Sequence, residues 1–143
     1  MIHLLDANVL IALADRDHPH HSAAVRFIPL THKMGWATCP LVENAFIRII
    51  GNPGYRNGPG SCSLARQLLQ NLLSAPGHQF WPDDLSLTNT HSFPQLPSHK
   101  HLTDHYLLAL AGKHGGRFAT FDHRIDPSTL PRGREALFLI PHS

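Results

Sequence analysis

Apolar residues fall into short blocks, and the spacing inside each block separates strands from helices. Residues 2–5 run into Asp6, and Val9 to Ala14 are apolar again, which predicts a buried strand feeding directly into a helix. His18-Pro19 restarts the chain. Ala23, Ala24, Phe27, Ile28 and Leu30 then mark a second helix, expected to be interrupted near Pro29. Gly35 to Cys39 reads as a second buried strand, followed by Pro40 at a first helical position and the apolar stretch Leu41 to Ile50, with Glu43 in its first turn. The segment GNPGYRNGPG, residues 51–60, is a loop. Leu64, Leu68, Leu69, Leu72 and Leu73 repeat at the spacing of one helical face, opposite Arg66, Gln67, Gln70 and Asn71, and the helix stops at Pro76-Gly77.

A third strand is expected over His78 to Trp81, and Thr88 to His101 reads as polar loop with at most one irregular turn. Thr103 is a natural N-cap for a helix through Tyr106 to Ala111, with Asp104 in its first turn and Gly115-Gly116 at its end. Phe118 to Phe121 is a strand followed at once by Asp122. The Pro131 to Gly133 turn leads to a last strand over Ala136 to Ile140. Strands alternating with helices imply an α/β domain with a mostly parallel sheet covered on both faces, and such sheets bind ligands at the carboxyl ends of their strands. At 143 residues and 42% apolar content, one core over residues 1–143 is expected.

Placing the acids on this scheme changes the picture. Asp6 and Asp122 end strands, while Glu43 and Asp104 start helices, so the alternating topology can bring all four to one sheet edge. Each singly also suits a plainer role: a cap for Asp6, dipole partners for Glu43 and Asp104, a turn for Asp122. Jointly they would repel, by roughly 4 kcal/mol per pair at about 4 Å and an effective dielectric near 20. Protonation or a hard divalent cation, Mg²⁺ or Mn²⁺, relieves that repulsion, and such ions suit phosphodiester hydrolysis.

The stretches LLDANVLIAL, CPLVENAFIRI, HLTDHYLLALA and RFATFD, in that order along nearly the whole chain, resemble the PIN-domain ribonucleases, specifically the VapC-type toxins. The resemblance implies a three-layer α/β/α sandwich and a Mg²⁺- or Mn²⁺-dependent endoribonuclease acting on RNA. It also implies a cognate antitoxin protein and a homodimer. By position it makes Asp6, Glu43 and Asp104 the metal ligands and Asp122 the acid completing the site. Asn8 and Thr120 become residues that either orient a ligand or a water, or serve only the fold. Asp126 stands one turn beyond Asp122 and reads better as an exposed turn residue.

Charge supports a polyanionic partner. Setting the four acids aside from the ten leaves six against twelve Lys and Arg. Arg48, Arg56, Lys113, Arg117 and Arg124 lie near the proposed site in sequence. Of the thirteen histidines, His18, His20 and His21 cluster, and His101 and His105 share a helical face. A zinc site is conceivable there, solvated histidines are the blander account, and His101 or His105 beside Asp104 could contact substrate phosphate. Two cysteines, Cys39 and Cys62, fit neither a disulfide scaffold nor a zinc ribbon, so a reducing cytoplasmic setting is expected, with no leader and no membrane span. The competing readings are a PIN fold that binds RNA or a partner without turnover, and a phosphatase. The latter wants paired aspartates, which Asp6-Ala7-Asn8 does not supply.

Overall fold

The computed structural model describes residues 1–142. Five short strands form one all-parallel sheet: β1 His3–Leu5, β2 Trp36–Thr38, β3 His78–Phe80, β4 Arg117–Thr120 and β5 Leu137–Leu139, in the spatial order β3-β2-β1-β4-β5. β1 is therefore central. It pairs His3 with Trp36 on one side and with Arg117 on the other, so the strands carrying the candidate acids end side by side. Its three residues are buried on both faces, which is why the strand reads as an unbroken run rather than an alternation.

Among the described residues six α-helices cover the sheet: α1 Ala7–Ala14, α2 His21–Met34, α3 Pro40–Ile50, α4 Cys62–Leu73, α5 Leu102–Lys113 and α6 Gly133–Ala136. α1 packs on α2 and α3, and α3 on α4. α5 and α6 pack on each other and on β4. These two groups are the outer layers of the α/β/α sandwich that the resemblance implied. Leu4, Leu5, Val9, Leu10, Phe46, Leu108, Leu110 and Phe118 are fully buried and form the core between layers. At about 1.5–3 kcal/mol for each such side chain, this core dominates the favourable side of folding.

The local expectations need four corrections. α2 is not interrupted at Pro29; it runs unbroken from His21 to Met34. Proline removes one N–H, but the residue whose carbonyl loses its partner, Val25, is 50% exposed and water can serve it. Ala23, Ala24, Phe27 and Thr31 meanwhile anchor one face on both sides of the proline. Thr103 is not the N-cap of α5. A 3-10 turn at His99–His101 winds directly into the helix, so Thr103 already lies inside its first turn. The last strand is shorter than expected, because Gly133–Ala136 forms α6 before it. Arg132 takes a left-handed backbone there (φ 60°), and a side chain at Gly133 would meet the Pro127 carbonyl at 2.3 Å. α4 starts earlier than its leucine pattern, at Cys62, because Ser61 Oγ accepts from Leu64 N at 3.2 Å.

Candidate active site

The end of β1 hands the chain to α1 through Asp6. This residue stands at the N-cap position, but its side chain makes no capping hydrogen bond. It is only 8% exposed, and Oδ2 instead accepts from Thr120 Oγ1 at 2.7 Å. Burial, and after it the charge of Asp104, pushes the Asp6 carboxyl up to about 7, against the opposing pull of the Thr120 hydrogen bond. The backbone N–H groups of Ala7 and Asn8 pull in the same direction as Thr120, so the carboxyl faces the first turn of α1 as well as β4.

Thr120, at the end of β4 and fully buried, is the hub of the arrangement. Its hydroxyl donates to Asp6, and it accepts from Asn8 Nδ2 at 3.3 Å and from Asp122 N at 3.0 Å. One donor and two acceptor positions are thus all in use. The same oxygen fixes Asp6 on β1's end and the backbone that carries Asp122.

Asp104, in the first turn of α5, is half-buried. Its carboxyl is raised by burial first and by the charge of Asp122 second, with His101 and Arg124 opposing. Asp122 is held below the usual range by Arg124, whose Nε and Nη2 donate to the two carboxylate oxygens at 3.0 and 3.2 Å. Asp104 thus links the other two, raising Asp6 and being raised by Asp122. Glu43 stands at the neighbouring strand end, where its Oε2 accepts from Thr38 Oγ1 at 2.8 Å. Thr38 is also 2.8 Å from His78 Nε2, so the imidazole donates to the hydroxyl that serves Glu43.

Among the described residues, no three acidic, imidazole or thiol groups converge tightly enough to form a finished ion cage. Three of the four carboxylates lean on a local donor instead: Asp6 on Thr120, Asp122 on Arg124, Glu43 on Thr38. The donor set still suits a hard divalent cation. It is made of carboxylate oxygens, two of them on groups whose ionisation is resisted, beside the buried and unpartnered Asn8 Oδ1. Thiolate ligation has no support here, since burial pushes the Cys39 thiol up to about 12 and Cys62 sits on the exposed start of α4.

Thr38 and His78 went unnoticed in the sequence. The signal was there for Thr38: Ala37-Thr38 ends β2 as Ala119-Thr120 ends β4, each threonine holding a carboxylate. Of the five basic residues expected nearby, only Arg124 touches a site acid. Lys113 pairs with Asp84, and Arg117 opens β4 at the opposite end of the sheet. Arg48 and Arg56 are exposed on α3 and its following loop. Asp126 accepts from Ser128 N at 2.9 Å as an exposed turn residue. His18, His20 and His21 form no common chelate: His21 Nδ1 meets Ala12 O at 2.7 Å, and His20 stacks on Phe121 at 4.8 Å.

A parallel sheet whose three central strands deliver acids to one edge is the architecture of the PIN domain, which matches residues 3–127 of this sequence; the chain belongs to that family. It is 42% identical over 130 residues to Ribonuclease VapC44 of Mycobacterium tuberculosis, spanning 90% of this chain and 91% of that protein. It is 40% identical over 124 residues to Ribonuclease VapC39 of the same organism, spanning 85% and 89%. Among solved structures, VapBC2 from Rickettsia felis, bound to a DNA fragment from their promoter, aligns over 85% of this chain and 89% of its own, with a TM-score of 0.59. At 13% identity that likeness speaks for the fold alone.

Proposed function

We propose that this protein is a divalent-cation-dependent endoribonuclease, the toxin of a toxin–antitoxin pair. The observation that carries it is the meeting, in a PIN-domain chain, of the buried Asp6 at the end of β1 with Asp104 at the start of α5, close enough for the charge of Asp104 to raise the Asp6 carboxyl. A fold keeps such a group when a bound cation repays its ionisation. Asp6, Glu43, Asp104 and Asp122 would hold Mg²⁺ or Mn²⁺, with Asn8 and Thr120 orienting them. RNA as substrate is supported by the relatives named ribonucleases, and an antitoxin partner by the VapC and VapBC names. A homodimer completes the reading.

Bound there, a divalent cation supplies an acidified water and stabilises charge gathering on the phosphorus. The chain's own residues do the rest. Thr120 keeps Asp6 Oδ2 in place through a bond of 2.7 Å. Arg124, 80% exposed along its side chain and already forked on Asp122, is free to turn its guanidinium to a phosphate oxygen. His101 stands close enough to Asp104 and Asp122 to lower both carboxyls.

The test is cleavage of cellular RNA by the purified protein with Mn²⁺, with EDTA, and by Asp104→Asn. Cleavage that EDTA stops, and that falls by roughly 10²-fold or more in the variant, is expected, because one charge leaves the site while its shape stays. Undiminished cleavage by Asp104→Asn rejects the site. RNA binding without any cleavage supports a silent binding module instead.

A further inference from the structure

Beside the acids lies a second feature that the hydrolytic reading does not use. A cavity of about 130 Å³ opens beside Arg124, with Leu96, Pro97 and Ile125 as apolar walls and His101, His105 and Arg124 among its polar ones, together with Gln95, Asp126 and Thr129. That is well below the roughly 300–1,000 Å³ of sites for drug-sized ligands, so it suits one flat heterocycle. Arg124 belongs to both places, since it lines the cavity and forks on Asp122.

The polar walls are built and unsatisfied. His105 is only 4% exposed, its ring lies 5.9 Å from that of Phe93, and its Nε2 is buried without a hydrogen-bond partner. The nearby His101 Nδ1 is likewise buried and unpartnered. Buried polar atoms left unpaired cost about 1–3 kcal/mol each, so a native fold keeps them where something else completes them.

A buried, unpartnered ring nitrogen in a small, largely apolar slot suits a planar ligand with a hydrogen-bonding edge. We propose that this cavity receives an unpaired nucleobase, its edge on His105 Nε2, from the strand whose phosphate lies at the acids. Sequence-selective RNA readers splay single-stranded bases in this manner, stacking the face and bonding the edge. The inference rests on the ribonuclease reading for its source of bases, but its chemistry can be tested without turnover.

AMP, CMP, UMP and ribose 5-phosphate are titrated into the full-length protein in EDTA, following the imidazole resonances of His105 by NMR. AMP, CMP and UMP are expected to shift them and to bind at least tenfold tighter than ribose 5-phosphate. His105→Phe, and Thr129→Phe at another lining position, should bring that ratio close to one. Equal binding of ribose 5-phosphate in the unaltered protein would show phosphate capture by Arg124 alone and overturns the proposal. So does a preference that survives both substitutions. RNA cleavage with no base preference in the titration rejects only this pocket. A base preference in a protein that never cleaves RNA rejects the ribonuclease reading and leaves the pocket standing.

Discussion

Asp6→Asn should stabilise the cation-free protein above neutral pH, although it removes a residue of the site. The folded Asp6 carboxyl sits near 7 against an ordinary value of 3.8, about three units, and each unit is worth about 1.4 kcal/mol. Between pH 4 and 7 the folded state therefore holds a proton that the unfolded chain has released, and the native protein loses stability as pH rises, by about 4 kcal/mol in all. Asparagine carries no titrating proton and keeps an oxygen to accept from Thr120. His3 is held down to about 4 by burial, and it titrates in the same window with the opposite sign. It does so in both proteins, so the difference between them isolates Asp6. Urea unfolding in EDTA at pH 4 to 8 should show the two stabilities diverging in favour of Asp6→Asn by about 4 kcal/mol. Adding Mn²⁺ at about 100 times its dissociation constant should then return about 2.7 kcal/mol to the unaltered protein, with far less to the variant. Parallel curves at every pH would refute the claim that burial and Asp104 strain this carboxyl.

Thr120→Val keeps the shape of a fully buried side chain but strips a donor from Asp6 and an acceptor from Asp122 N, so unfolding should become easier by about 1–3 kcal/mol. In the same variant the Asp6 carboxyl, followed by ¹³C NMR, should titrate above its position in the unaltered protein. Arg124→Ala removes the main cause holding Asp122 low, so that carboxyl should titrate closer to the ordinary range, and the salt dependence of RNA binding should lose about one unit of slope. Gly116→Ala would place a carbon 2.5 Å from the Ile2 carbonyl and 2.8 Å from the Trp81 ring, and calorimetry should show a loss of about 1–3 kcal/mol. Gly112→Ala in α5 meets nothing nearer than Ala136 Cβ at 3.7 Å and should be neutral or stabilising by up to about 1 kcal/mol.

The sheet and its order of elements were legible because parallel strands buried on both faces leave continuous apolar runs, as Leu4-Leu5 and Phe118-Ala119 do. Asp6, Asp104 and Asp122 could be placed because topology alone fixes which end of a strand or helix they occupy. Local propensity misled at Pro29 and Thr103, where tertiary packing and the 3-10 turn at His99–His101 outweighed a breaker and a capping signal. The donors attached to the acids were legible only in part: Thr120 was named through the resemblance, and Thr38 passed unnoticed although it ends β2 as Thr120 ends β4. Thr38 reaches Glu43 across five positions and Thr120 reaches Asp6 across 114, and spacing alone does not say which carboxylate such a threonine serves. Arg124 could be named, but its choice of Asp122 over solvent is a matter of side-chain geometry.

The placement of β1 has a consequence for how such a protein is made. β1 is translated well before β4 yet pairs with it in the middle of the sheet, so Asp6 gains Thr120 only after a segment 114 residues downstream has docked beside it. Until then the Asp6 carboxyl of the nascent polypeptide stays hydrated and titrates as an ordinary acid. The strained carboxyl is therefore a late product of synthesis, made at the moment the β1–β4 seam closes.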